Sequence, residues 1–119
     1  MRMLFALLAA LTVFAAPASA EDLSIAGRYT LMGTNPNGSQ YSGTAEIVAV
    51  GPGQVQIIQT VGGQTWAGQG GWTGDDLQIV YPDFNVMAVY GLNPDGSLEG
   101  NWGERGSTVL QGWELMTPQ

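Results

Sequence analysis

Gly62-Gly63-Gln64-Thr65-Trp66-Ala67-Gly68-Gln69-Gly70-Gly71-Trp72-Thr73-Gly74-Asp75-Asp76-Leu77-Gln78-Ile79-Val80-Tyr81 reads as two strands set off by tight turns. Gly62-Gly63 is a two-residue hairpin signal, because the central positions of such turns need positive φ, and Thr73-Gly74-Asp75 is the next reversal. Between them, period two places Trp66, Gly68, Gly70 and Trp72 on one strand face. Two indoles therefore flank a strip that has no side chains of its own. In a folded sheet such a strip is filled by side chains from a neighbouring strand, and less often by a ligand.

The same grammar extends in both directions. Upstream, strands are expected over 26–33, 41–50 and 54–61, with Val55 and Ile57 inward against Gln54 and Gln56, and with Gln59 left on the inward face as an interior hydrogen-bonding group. Downstream they are expected over 77–81, 86–92, 97–103 and 107–116, with a longer connection at Pro82-Asp83-Phe84-Asn85. The turns Asn35-Pro36-Asn37-Gly38 and Asn93-Pro94-Asp95-Gly96 are one cassette used twice, 58 positions apart. Proline presets the second turn position and glycine supplies the positive φ that closes it.

Helix periodicity is absent after the first 20 residues. Eight short strands in series, joined by tight turns, predict an all-β fold: a small eight-stranded antiparallel up-and-down barrel, since closure removes the sheet edges. The alternative is a β-sandwich. Four segments place a large residue two positions before glycine (Tyr41, Trp66, Leu98 and Leu110), a spacing that lets a small barrel coil tightly. The expected interior is Tyr29, Ile47, Ile57, Trp66, Trp72, Ile79, Tyr90 and Trp102.

Residues 1–20 carry one basic residue, Arg2, an apolar run from Leu4 to Ala16, Pro17, and the small-residue end Ala18-Ser19-Ala20. This is the pattern of a secretory signal peptide cleaved after Ala20; the apolar run is shorter than the roughly 20 residues that span a bilayer. The expectation is a single domain over 21–119, periplasmic or secreted, with no membrane anchor.

Composition excludes more chemistry than any motif suggests. The chain has no Cys, no His and no Lys, and beyond the leader its basic residues are Arg28 and Arg105 against ten carboxylates. Ser-His, Cys-His and Ser-Lys nucleophilic machinery, Schiff bases and the usual zinc sites all lack their residues. The acidic balance repels phosphate backbones and anionic lipid, so nucleic acid is not an expected partner. For paired-carboxylate hydrolysis, Asp75 and Asp76 sit in a turn, and Glu99 and Glu114 are expected on outward faces. No catalytic residue, cofactor or metal site is assigned, and the protein is not expected to be an enzyme.

Gly27-Arg28-Tyr29, the segment from Gly33 to Gly43 carrying the first Asn-Pro cassette, and Gly96-Ser97-Leu98-Glu99-Gly100-Asn101-Trp102 resemble short exported all-β proteins of Gram-negative bacteria, some labelled fibronectin-binding. The architecture also resembles the avidin and lipocalin barrels, whose G-x-W opening Gly27-Arg28-Tyr29 loosely matches. The resemblance implies fold rather than activity, and no biotin-contacting residue is carried over.

Two binding readings follow. In the first, the open barrel end holds a small apolar or aromatic ligand among Trp66, Trp72, Tyr81, Tyr90 and Trp102. In the second, the outward-facing Met32, Val48, Val50, Ile58, Val80, Met87, Val89 and Leu110 make the outer wall a homo-oligomer, protein-partner or matrix-adhesive surface.

Overall fold

The computed structural model describes residues 25–119; the expected leader lies outside the described residues. Eight strands follow one another in space as in sequence: β1 (Gly27–Thr34), β2 (Gln40–Gly51), β3 (Gln54–Val61), β4 (Gln64–Thr73), β5 (Asp76–Tyr81), β6 (Val86–Leu92), β7 (Leu98–Glu104) and β8 (Gly112–Pro118). Every neighbouring pair is antiparallel, and β8 returns to pair with β1, Leu31 opposite Met116 and Gly33 opposite Glu114. The sheet is thus a closed up-and-down barrel, and the sandwich alternative falls.

Alternation drives the closure. Leu31, Ile47, Ile57, Leu77, Ile79, Leu98 and Met116 point inward and are fully buried, while Thr30, Glu46, Gln56 and Gln78 point out. Each buried aliphatic side chain contributes about 1.5–3 kcal/mol relative to exposure. Ile25, just ahead of β1, is buried in the same cluster, and its carbonyl accepts the Tyr29 hydroxyl, so that end of the barrel is filled.

The bare strip of β4 is filled from the next strand. A Cβ at Gly68 would stand 2.7 Å from Ile79 and 2.8 Å from the ring of Tyr81. Glycine here admits the neighbours' bulk and lets the sheet coil around a narrow bore.

The two Asn-Pro cassettes fold identically at opposite ends of the barrel. In the first, Asn35 N–H donates to Ser39 O (2.8 Å), and the Ser39 N–H and hydroxyl both donate to Asn37 Oδ1 (3.0 and 2.7 Å). In the second, Asn93 N–H donates to Ser97 O (2.8 Å), and Ser97 donates twice to Asp95 Oδ1 (2.9 and 2.6 Å). Gly38 and Gly96 close them with φ of 92° and 91°.

The last strand departs from expectation. It begins at Gly112, not at residue 107; residues 105–111 form a loop that lays Leu110 against the outer surface of Gly103. The shorter strand sets a parity in which 112, 114 and 116 face inward. Glu114, expected outside, is therefore inside and 6% exposed. Hydrogen-bond donors from Tyr41, Gln59 and Tyr90 inside the bore make that burial tolerable.

The apolar outer residues do not form one continuous face. Val48, Val50 and Ile58 are exposed on the β2–β3 wall, whereas Val80 sits opposite Met87 on the β5–β6 wall, and both are half-buried, as is Val89. Met32 lies apart, opposite Leu115.

Candidate functional site

The barrel end that carries the β1–β2, β3–β4 and β5–β6 connections opens into a cavity of about 150 Å³. Its lining includes Tyr41, Gln59, Val61, Trp66, Tyr81, Val86, Trp102 and Glu114. Strand lengths create it. β5 has only six residues and pairs with β4 from Gln69 to Thr73, so the upper part of β4, from Gln64 to Gly68, has lost its neighbour on that side. The chain crosses this notch as a short 3-10 turn, Pro82–Phe84, ended by Asn85 in the left-handed conformation (φ 55°). Phe84 stacks on Trp66 there, with centroids 3.7 Å apart and planes at 22°.

Aromatic edges build the walls. Trp66 meets Tyr81 edge-on at 6.4 Å, and Tyr41 meets Trp102 edge-on at 6.4 Å. Trp102 can lie where it does because Gly112, its cross-strand partner on β8, has no side chain; any Cβ there would enter the indole ring. The Trp102 indole N–H is buried without a hydrogen-bond partner.

The floor is polar and centred on Glu114. Oε1 accepts from Gln59 Nε2 (3.0 Å) and from the Tyr90 hydroxyl (2.6 Å), and Oε2 accepts from the Tyr41 hydroxyl (2.7 Å). Because the Tyr90 proton goes to Glu114, the 3.1 Å contact between Tyr81 and Tyr90 hydroxyls has Tyr81 as donor. The result is a donor chain running Tyr81 to Tyr90 to Glu114. Enclosing a carboxylate without a counter-charge costs several kcal/mol, offset by charge-assisted hydrogen bonds of about 1.5–3 kcal/mol each.

The same arrangement holds the tyrosines neutral. Burial first, and the nearby Glu114 charge second, push the Tyr41 and Tyr81 hydroxyls well above the ordinary range. Tyr90 is pushed the same way by burial, then by Tyr81 and Glu114.

Of the residues expected at the site, Trp66, Tyr81 and Trp102 line the cavity together. Tyr90 is buried in the core and does not line the cavity; its hydroxyl bonds to Tyr81 and Glu114, which do. Trp72 is elsewhere: six positions along a strand is about 20 Å, and its backbone N–H donates to Gly53 O in the β2–β3 turn at the other end. A shared face put Trp66 and Trp72 in one group; the rise of the strand separates them. Sequence reading missed Tyr41, Val61, Val86 and Glu114. One signal was available for Glu114: Tyr41, Gln59 and Tyr90 are all inward donors, and a closed interior with several donors needs an acceptor.

No protein-family model matches the chain, and no curated protein matches it in sequence. Solved structures do. The redesigned β-barrel mFAP1, bound to DFHBI, aligns with a TM-score of 0.64 at 15% identity, covering 81% of this chain and 96% of that one. The redesigned barrel b11L5F_LGL aligns at 0.58 and 18% identity, covering 82% and 94%. A de novo designed fluorescence-activating β-barrel aligns at 0.53 and 16% identity, covering 79% and 93%. At these identities the likeness is one of fold: the chain is built as these β-barrels are.

Proposed function

We propose that the protein is an exported, non-catalytic binding barrel that takes a small, ring-sized apolar or aromatic molecule in its open end. The observation that carries this is the mouth cavity, aromatic-walled and polar-floored on a rigid closed sheet. Its size sets the class of ligand: about 150 Å³ matches a single aromatic ring, not a drug-sized molecule. The designed barrels mFAP1 and mFAP0 are bound to the small molecule DFHBI, which supports the reading for this architecture. A lone carboxylate at the cavity, where glycoside hydrolysis needs a pair, supports binding over hydrolysis.

Native mass spectrometry of the protein recovered from its source tests the reading. A retained small molecule, lost in Trp66→Leu but kept in the outer-face variant Trp113→Leu, is the expected result. Protein that is empty and gives no tryptophan response to phenol, indole or toluene would overturn it. N-terminal sequencing of the same sample tests export, with Glu21 expected as the first residue.

A second reading, a protein-interaction surface, is favoured by Val48, Val50 and Ile58, which are 47%, 54% and 43% exposed on adjoining strands. It predicts a mass above monomer in light scattering that Val48→Glu reduces; a monomer at all concentrations would end it.

A further inference from the structure

Glu114 lines the cavity and keeps an unfilled acceptor position. Two carboxylate oxygens offer about four lone-pair sites; Gln59 and Tyr90 occupy two on Oε1, and Tyr41 occupies one on Oε2. All three donors are neutral. The basic residues of the described chain are Arg28, on the outer face of β1 opposite Glu46, and Arg105, exposed in the loop after β7; neither lines the cavity. A carboxylate that served only to tie three donors together could be replaced by a neutral acceptor at less cost in desolvation. Here an uncompensated negative charge ends at a cavity that is also lined by Tyr41, Trp66, Tyr81 and Trp102. The rings offer apolar contact area to the hydrocarbon part of a ligand, and the carboxylate offers charge-assisted hydrogen bonding to a cationic head.

We propose that the mouth cavity selects a small organic cation: a primary amine on one aromatic ring or a short apolar stem. Its ammonium occupies the open Oε2 position of Glu114, and its apolar part lies against Trp66 and Trp102. The net charge of −7 draws cations toward the protein and disfavours anions. The proposal rests on the small-molecule reading above and adds the sign of the ligand's charge.

Three probes of one shape test it: benzylamine, benzyl alcohol and benzoate, titrated at pH 7 by saturation-transfer NMR and tryptophan fluorescence. The expected order is benzylamine on the order of tenfold tighter than benzyl alcohol, with benzoate undetected. Glu114→Gln is expected to erase the difference between the first two. Equal binding of benzylamine and benzyl alcohol by the unmodified protein overturns the cation proposal while leaving a ring-binding site in place. Failure of all three to bind removes both. The comparison in the unmodified protein decides the question even where Glu114→Gln does not fold.

Discussion

Phe84 lies on the face of Trp66, their centroids 3.7 Å apart, and so the turn that bridges the notch beside β4 is fastened to the cavity wall. Phe84→Ala removes the cover without touching the core cluster. The expected stability loss is small, about 0.5–1.5 kcal/mol for the lost aromatic pair. The larger signal is optical: Trp66 becomes accessible, tryptophan emission shifts to the red, and acrylamide quenching rises. An unchanged spectrum would mean that the stack does not shield Trp66.

Glu114 and Tyr90 stabilise the interior as a unit. Glu114→Leu leaves the Tyr41, Gln59 and Tyr90 donors without their acceptor, at about 1–3 kcal/mol for each group that stays unsatisfied. Tyr90→Phe removes one of those donors. Urea unfolding of the single and double variants is expected to show a favourable coupling of about 0.5–3 kcal/mol. Strictly additive losses would mean that the hydrogen bond contributes nothing of its own.

All of the protein's tyrosines, Tyr29, Tyr41, Tyr81 and Tyr90, have hydroxyls raised above the ordinary value, with burial as the leading cause. The unfolded chain therefore loses phenolic protons before the folded one does. Stability is complete below about pH 10, where unfolded tyrosine titrates, and falls as pH rises above it. Absorbance at 295 nm is expected to stay flat through pH 10 and then rise together with the loss of β-sheet circular dichroism. A separate tyrosinate step at about pH 10 in folded protein would contradict this.

Two interior-strand glycines give opposite outcomes. A Cβ at Gly100 would collide with the Val89 carbonyl across the β6–β7 ladder, whereas one at Gly91 meets nothing within 4 Å. Gly100→Ala is expected to cost about 1–3 kcal/mol or more. Gly91→Ala is expected to be neutral or stabilising by up to about 1 kcal/mol through the unfolded state. Equal thermal midpoints for the two variants would show that barrel coiling does not depend on glycine at position 100.

The barrel was legible because its signals are local. Period-two alternation in Gln54–Val61 and the Asn-Pro-x-Gly-Ser cassettes fix strand identity and reversal over a few residues, and closure follows from strand number. Parity in the final strand was not legible. Trp113 and Leu115 are apolar outside, Met116 is apolar inside, and the carboxylate at 114 argues for solvent on simple desolvation grounds. Only long-range partners overturn that argument: Tyr41 is 73 positions from Glu114 and Gln59 is 55. The same limit explains the site. Periodicity assigns Trp66 and Trp72 to one face but does not register that the short β5 leaves an opening near one of them alone.

The seam between β1 and β8 places the start of the first strand beside the end of the last: Tyr29 pairs with Pro118, and the Gln119 N–H donates to Arg28 O. A short peptide could therefore join residue 119 to residue 25, and the ring could be cut at Gly62-Gly63, where both residues are exposed and no strand pairing is crossed. Such a circular permutant would keep the whole hydrogen-bonded ladder while moving the free ends to the rim of the cavity. Any fused reporter would then sit beside the cavity mouth instead of a barrel's length away from it.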